Sequence, residues 1–233
     1  MLPNKEVTRL PGGITNVTTS SLFANFPQPV AQNLVTYYDD FFSYVAGDWT
    51  VTETQAGATQ ALTAGSGGLL LVTNSAADDD IVALQKNPAM LLLDSGKQTW
   101  FSSHFKVSDA TQSDIVIGLQ VVDTTPLDVT DGIYFLKADG AATASIVCRK
   151  NATTGSTSAS SVATLADDTF IQLDWYYDGE GYLFYAVNGM VGGSLSVASY
   201  FPDTTLTVSF AIQNGEAVAK TMTVDWVGVW QQR

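Results

Sequence analysis

The stretch QLDWYYDGEGYLFYAVNG, residues 172–189, indicates the fold class, because its pattern predicts two strands joined by a tight polar turn. Side chains alternate between the two faces of a strand, so Trp175 and Tyr177 share one face while Tyr176 points the other way. The second strand, 182–187, is apolar on both faces, which is typical of a strand that is covered on both sides. We therefore predict that this hairpin packs in a core or an interface, with stacking on sugar rings as the alternative.

Outward from the hairpin, the chain is a succession of short β-like runs separated by Gly, Asp, Asn or Pro. Runs of this length at this spacing predict an antiparallel sandwich or barrel. We therefore predict an all-β fold with one sandwich domain over residues 37–233. The remaining runs are 49–53, 68–75, 81–87, 97–109, 114–125, 131–139, 143–151, 206–215 and 221–232.

Residues 1–36 differ from the rest of the chain, because they contain four prolines and a Gly-Gly pair and show no sustained period of 2 or 3.6. A free linker does not need large apolar side chains, yet this segment carries several. We therefore predict an extended N-terminal arm whose apolar residues bind the sandwich or a neighbouring subunit. The arm residues predicted to make these contacts are Leu10, Ile14, Leu22, Phe23 and Phe26.

Charge and length exclude several partners. The chain has 233 residues and a formal net charge of −13, so its surface repels nucleic-acid phosphates and anionic lipid headgroups. Its longest apolar runs are far shorter than a membrane span requires. We expect neither a nucleic-acid partner nor a membrane partner.

Few residues are available for metal or covalent chemistry. His104 and Cys148 are the sole histidine and cysteine of the sequence, so a tetrahedral zinc site cannot be assembled. The acidic triplet 78–80 is interpreted as a solvated turn rather than a calcium site. There is no Gly-rich phosphate loop and no nucleophile elbow. We predict no metal, no cofactor and no enzymatic activity, although hydrolysis by two carboxylates stays formally open.

Two C-terminal stretches carry a resemblance to a known fold family. WYYDGEGYLFYAVNG (175–189) and LTVSFAIQNGEAVAKTMTVDWVGVWQQR (206–233) resemble the closing strands of concanavalin A-like (laminin G-like) jelly-roll sandwiches. The resemblance implies this jelly-roll sandwich over residues 37–233. The chain lacks the Glu-x-Asp-x-x-Glu of beta-glucanase members, the Gln-x-His of alginate-lyase members and the metal-binding cluster of legume lectins. These departures agree with the prediction of a non-enzyme.

A second resemblance concerns assembly. The Ala/Thr/Ser/Gly-rich style, the arm ahead of a sandwich, and the stretch 111–140 are similar to tailed-phage capsid decoration (cement) proteins. This resemblance implies a structural virion protein on the outer capsid surface. Its partners would be the major capsid protein and neighbouring copies of itself, as a homo-oligomer with a trimer favoured. The alternative is a carbohydrate-binding, lectin-like module of a tail fibre or cell-surface complex, with sugar-stacking residues Trp49, Trp100, Tyr176 or Tyr182.

Overall fold

The computed structural model describes residues 33–151 and 156–233, and within them the chain is almost entirely β-structure. One short 3-10 helix, Ala46–Asp48, interrupts the strands. The strands are β1 Leu34–Asp39, β2 Trp49–Glu53, β3 Thr59–Thr63, β4 Leu69–Thr73, β5 Ile81–Lys86, β6 Leu91–Leu92, β7 Thr99–Val107, β8 Ser113–Gln120, β9 Gly132–Lys137, β10 Thr143–Arg149, β11 Ser156–Thr164, β12 Ile171–Tyr177, β13 Tyr182–Val187, β14 Met190–Ser196, β15 Thr205–Asn214 and β16 Thr221–Gln232.

These strands form two antiparallel sheets. Sheet I has the order β14-β13-β12-β7-β16-β4-β3, and β1 also pairs with the C-terminal half of β16. Sheet II has the order β11-β10-β9-β8-β15-β5-β2, and the short β6 also pairs with β15. The prediction of an all-β antiparallel sandwich is confirmed.

The main core lies between the two sheets and is built from alternate residues of their strands. Trp175 of β12 stacks on Phe101 of β7 in sheet I, at a centroid distance of 5.7 Å. Trp49 of β2 contacts Phe210 of β15 in sheet II, at 5.2 Å. Burial of large side chains such as these contributes to the hydrophobic stabilisation that holds two sheets together.

The aromatic hairpin is β12 and β13, and the packing prediction for it is correct. Trp175 and Tyr177 point into the core and are 0% and 1% exposed, while Tyr176 points outward and is still only 2% exposed. Tyr176 contacts Trp100 of the neighbouring β7, at a centroid distance of 5.2 Å. Both faces of β12 are therefore covered, whereas the sequence pattern predicted this for the second strand, β13, whose Tyr182 is 52% exposed.

Two local features differ from the sequence-based expectation. The sandwich begins with β1 at Leu34, so residues 34–36 belong to the first strand and not to the arm. In the acidic triplet, Asp78 and Asp79 are exposed but Asp80 is buried. The Asp80 carboxylate accepts hydrogen bonds from the Thr54 hydroxyl and from the backbone N–H groups of residues 55 and 75, so this acid holds a turn rather than facing solvent.

In the part of the chain that the structure describes, no helix has the length and apolar character to cross a membrane. The arm residues Leu10, Ile14, Leu22, Phe23 and Phe26 lie outside the described residues.

Candidate functional site

A row of rings crosses the outer face of sheet I, and we call it the outer aromatic strip: Phe170, His104, Trp226, Tyr38 and Trp230. Successive centroids are 4.8 Å apart for Phe170 and His104, 6.0 Å for His104 and Trp226, 6.2 Å for Trp226 and Tyr38, and 6.5 Å for Tyr38 and Trp230. The rings come from the adjacent strands β1, β16 and β7 and from the residue before β12. Tyr38 is 52% exposed and Trp226 is half-buried.

A register shift in β16 places two consecutive residues on this outer face. Val224 and Val227 both point into the core and are fully buried, so the two residues between them, Asp225 and Trp226, both face outward. Such a bulge redirects side chains that strict alternation would send to opposite faces. The shift therefore sets a carboxylate directly beside an indole.

The imidazole of His104 lies in the middle of the strip, between the rings of Phe170 and Trp226. Its Nδ1 is 2.6 Å from Oδ2 of Asp225, with the two side chains 29% and 19% exposed. The carboxylate fixes the orientation of the ring. Both groups reach solvent and can form hydrogen bonds with a bound molecule.

A second carboxyl group lies on the same side of the sheet but is inaccessible. Asp174 of β12 is 0% exposed. It accepts hydrogen bonds from the hydroxyl of Ser102 and from Nε2 of Gln172, which is 2.9 and 3.0 Å from its two oxygens. Burial raises the pKa of Asp174 to about 6, against the lowering effect of these hydrogen bonds and of nearby His104. Asp174 is therefore shielded from solvent and acts only through the side chains that it holds, Ser102 and Gln172.

The charges around the strip are mainly negative. Lys106 is the nearby cation; its Nζ is 5.5 Å from the ring centroid of Phe170 and 3.7 Å from a carboxylate oxygen of Asp168. At the Tyr38 end, the phenol donates a hydrogen bond to Asp40 at 3.2 Å. Burial, together with Asp40, raises the pKa of Tyr38 to about 12, so the phenol is protonated at neutral pH.

Part of the outer face is closed over. Trp100 and Tyr176 form a buried cluster with Leu34 and Ala186, and the half-buried rings of Phe184 and Trp230 pack against it. The ring of Trp230 lies across Gly228, where an added Cβ would overlap it. A glycine at this position therefore lets the indole lie flat against the sheet.

The outer face of sheet II is covered at its centre by the segment 121–131. Gln85 of β5 donates through Nε2 to the carbonyl of Val121 and accepts from the backbone N–H of Asp123. Val129 of this segment is fully buried against Tyr134 and the strands beneath it. Sheet I, rather than sheet II, thus presents the accessible aromatic face.

The predicted sugar-stacking residues are placed as follows. Trp49 is in the core, and Trp100 and Tyr176 are in the buried outer cluster, with exposures of 5%, 1% and 2%. None of these three rings offers a face to solvent. Tyr182 is 52% exposed and is the one of the four that could stack on a sugar as it stands.

The residues of the strip were missed by sequence reasoning, although one signal was present. Trp226 and Trp230 are four residues apart in one strand and therefore share a face.

Across the described ranges, no group of three or more His, Cys, Asp or Glu side chains is placed to hold a metal ion.

Solved structures of other proteins have the same fold as this chain. No protein-family model and no curated protein matches the sequence. Solved structures similar to this chain include an endo-1,3-beta-glucanase from Streptomyces sioyaensis, with a TM-score of 0.61, 11% identity, and 89% of this chain and 99% of that chain covered. Peanut lectin gives 0.58, 13%, 84% and 97%. An endo-beta-1,4-glucuronan lyase from Trichoderma reesei gives 0.56, 11%, 83% and 94%.

These similarities confirm the predicted concanavalin A-like jelly-roll sandwich, and at such low identity they show the fold alone. They also correct one prediction. Two of the three similar structures are enzymes by name, a glucanase and a lyase. The prediction that the protein is not an enzyme, which rested on the missing catalytic motifs, is therefore wrong as an exclusion, because the same fold occurs in these enzymes.

Proposed function

We propose that this protein is a carbohydrate-binding, lectin-like module and that a glycan chain binds along the outer aromatic strip. The observation that carries the proposal is the row of rings, which includes the exposed Tyr38 beside the half-buried Trp226. Neighbours in fold that include a lectin and a glucanase agree with this class of ligand.

The chemistry of the strip suits a sugar. A pyranose ring presents C–H groups on its faces and hydroxyl groups around its edge, so it can stack on an aromatic ring while hydrogen-bonding sideways. Asp225 supplies an acceptor beside the rings and is held in place by His104, while Nε2 of Gln172 is engaged by Asp174. Apolar surface with a few placed polar groups is the usual composition of a ligand site.

The charge of the site favours an uncharged glycan. Asp225 and Asp40 flank the rings, and Lys106 is paired with Asp168. In a chain whose net charge is −13, these acids concentrate negative charge at the strip and repel a polyuronate or a sulfated chain. The ligand class is therefore a neutral polysaccharide.

A matched pair of variants tests the location. Tyr38 and Tyr182 are both tyrosines with 52% exposure on sheet I, but Tyr38 is in the strip and Tyr182 is in the hairpin. Binding of neutral glucans and of a polyuronate is measured by titration calorimetry for the full chain, Tyr38→Ala and Tyr182→Ala. We expect Tyr38→Ala to weaken glucan binding about tenfold, since loss of an aromatic contact costs about 1.5 kcal/mol, and Tyr182→Ala to bind like the parent. Loss with Tyr182→Ala alone would place the site on the hairpin, and binding of no glycan would refute the function.

The second candidate is a structural virion protein, a decoration (cement) protein on the outer capsid surface that contacts the major capsid protein and its own copies. Its support is the arm sequence, together with an exposed apolar surface just after β1, where Phe42 is 76% exposed and Val45 58% exposed. Cosedimentation of the full chain with capsids, compared with a Phe23→Asp/Phe26→Asp variant, tests this role. Binding that needs the two phenylalanines supports it, and absence of cosedimentation contradicts it.

A further inference from the structure

The edges of the two sheets differ in how they are protected. Within residues 33–151 and 156–233, six strands pair on one side only: β14, β3 and β1 in sheet I, and β11, β2 and β6 in sheet II. An unpaired edge offers free N–H and C=O groups to another strand, and proteins blunt such edges with bulges, charges or very short strands.

Five of these edges carry such a device. Gly192 is an extra residue that bulges β14, and β11 has a register shift around Ser161, whose φ is 54°. Asp39 ends β1 and Glu53 ends β2. The strand β6 is two residues long. Each of these features interrupts or repels an incoming strand.

β3 has none of these protections. It reads TQALT, it pairs with β4 in continuous register, and all its residues except Gln60 are exposed. Leu62 is opposite the fully buried Leu70, so it faces the core side of the sandwich, yet it is 46% exposed. The core side is therefore open at this edge, and the described residues leave nearly half of the Leu62 surface uncovered.

Charge indicates which partner fits this edge. Residues 54–77 contain no charged side chain, in a chain whose net charge is −13. Glu53 of β2 does contact β3, because it accepts a hydrogen bond from Gln60 at 3.3 Å. Two copies of an acidic protein repel one another through most of their surfaces, but along β3 they can meet without facing carboxylates. A second copy of this chain is thus the occupant that the edge suits.

We propose that β3 pairs antiparallel with β3 of a second copy, about a two-fold axis centred on Ala61. In this register Thr59 is opposite Thr63 of the other copy, and Gln60 is opposite Leu62. Cross-strand threonine pairs are favourable, and the added strand covers part of Leu62. The interface is isologous, so it closes as a dimer, and the two copies of sheet I become one continuous sheet.

Light scattering after size exclusion tests the dimer on the full chain. A pair of five-residue strands is smaller than a standard interface, so the mass is followed from about 1 μM to about 1 mM. We expect it to rise from the chain mass of 24.8 kDa to about twice that value. Ala61→Lys places two like charges opposite each other at the axis and should raise the dimer dissociation constant at least about tenfold.

Two further measurements distinguish loss of the interface from loss of the fold. Ser194→Lys puts the same charge on the bulged, exposed edge strand β14, and it should dimerise like the parent. An equimolar mixture of Ala61→Lys and Ala61→Asp should regain the dimer mass as a heterodimer. The proposal is overturned by a parent chain that stays monomeric at every concentration, by an Ala61→Lys dimer as tight as the parent, or by a mixture no tighter than its components.

Discussion

At the scale of single residues, the outer face of sheet I depends on exceptions to strand alternation. The pair Asp225 and Trp226 faces outward together because β16 shifts register between Val224 and Trp226. Sequence alternation alone assigns these two residues to opposite faces, so this part of the site could not be predicted from the strand pattern. His104 and Asp225, which meet at 2.6 Å, are 121 positions apart and come together through strand pairing.

Asp174 gives a pH prediction at the same scale. Burial raises its pKa from 3.8 to about 6, so between these pH values the folded chain binds a proton that the unfolded chain has released. The free energy of unfolding therefore falls as pH rises from about 4 to about 6, then levels off. We expect the parent to lose roughly 3 kcal/mol relative to Asp174→Asn across this window, at about 1.4 kcal/mol per pKa unit. Denaturant titrations at successive pH values measure the difference, and a difference that does not change with pH contradicts the assignment.

At the scale of elements, the β12–β13 hairpin was readable because its information is local. Trp175, Tyr176 and Tyr177 alternate as the period of two requires, and the pairing of Trp175 with Tyr185 follows from the turn at 178–181. Tyr176 on the outer side is buried as well, although the apolar pattern on both faces was that of the second strand. The outer aromatic strip draws on β1, β7 and β16, whose adjacency no local pattern encodes, and for that reason it was missed.

Within β16, the indole of Trp230 lies directly across Gly228. A methyl group at Gly228 would overlap the ring of Trp230, so Gly228→Ala must displace the indole from the sheet surface. We expect the free energy of unfolding to fall by about 1–3 kcal/mol, as in overpacked sites, and the tryptophan fluorescence of the native state to change. Gly47→Ala is the control, because a Cβ there meets no atom within 4 Å. Equal stability of the two variants would show that Trp230 does not rest on Gly228.

At the scale of the whole molecule, the composition predicted the fold class well and the surface poorly. Alternating strands and turn residues fix an all-β sandwich, whereas the covering of sheet II by 121–131 depends on contacts such as Gln85 with Val121. The arm contacts predicted for residues 1–36 remain predictions, as do the capsid partner and the trimer. That the acidic surface repels polyanions is likewise a prediction, made from the net charge of −13.

Glycan binding by the strip and dimerisation through β3 together give a prediction about the number of glycan sites per assembly. Pairing of β3 about a two-fold axis keeps the outer faces of the two copies of sheet I on one side of the dimer. The dimer therefore presents two aromatic strips to one polysaccharide chain. Linked sites bind a repeating ligand more tightly than a single site does. We expect Ala61→Lys to weaken binding to a long neutral glucan at least about tenfold but to leave binding to a short oligosaccharide unchanged. Equal losses with both ligands would contradict this link between dimer and binding.

The proposed function requires that the outer aromatic strip binds a neutral glycan. Its most direct test is affinity electrophoresis of the full chain and of Trp226→Ala in gels that contain a panel of neutral polysaccharides. We expect that at least one neutral polysaccharide retards the full chain and that Trp226→Ala migrates as in a gel without polysaccharide. Equal retardation of both chains, or no retardation of the full chain by any member of the panel, would contradict it.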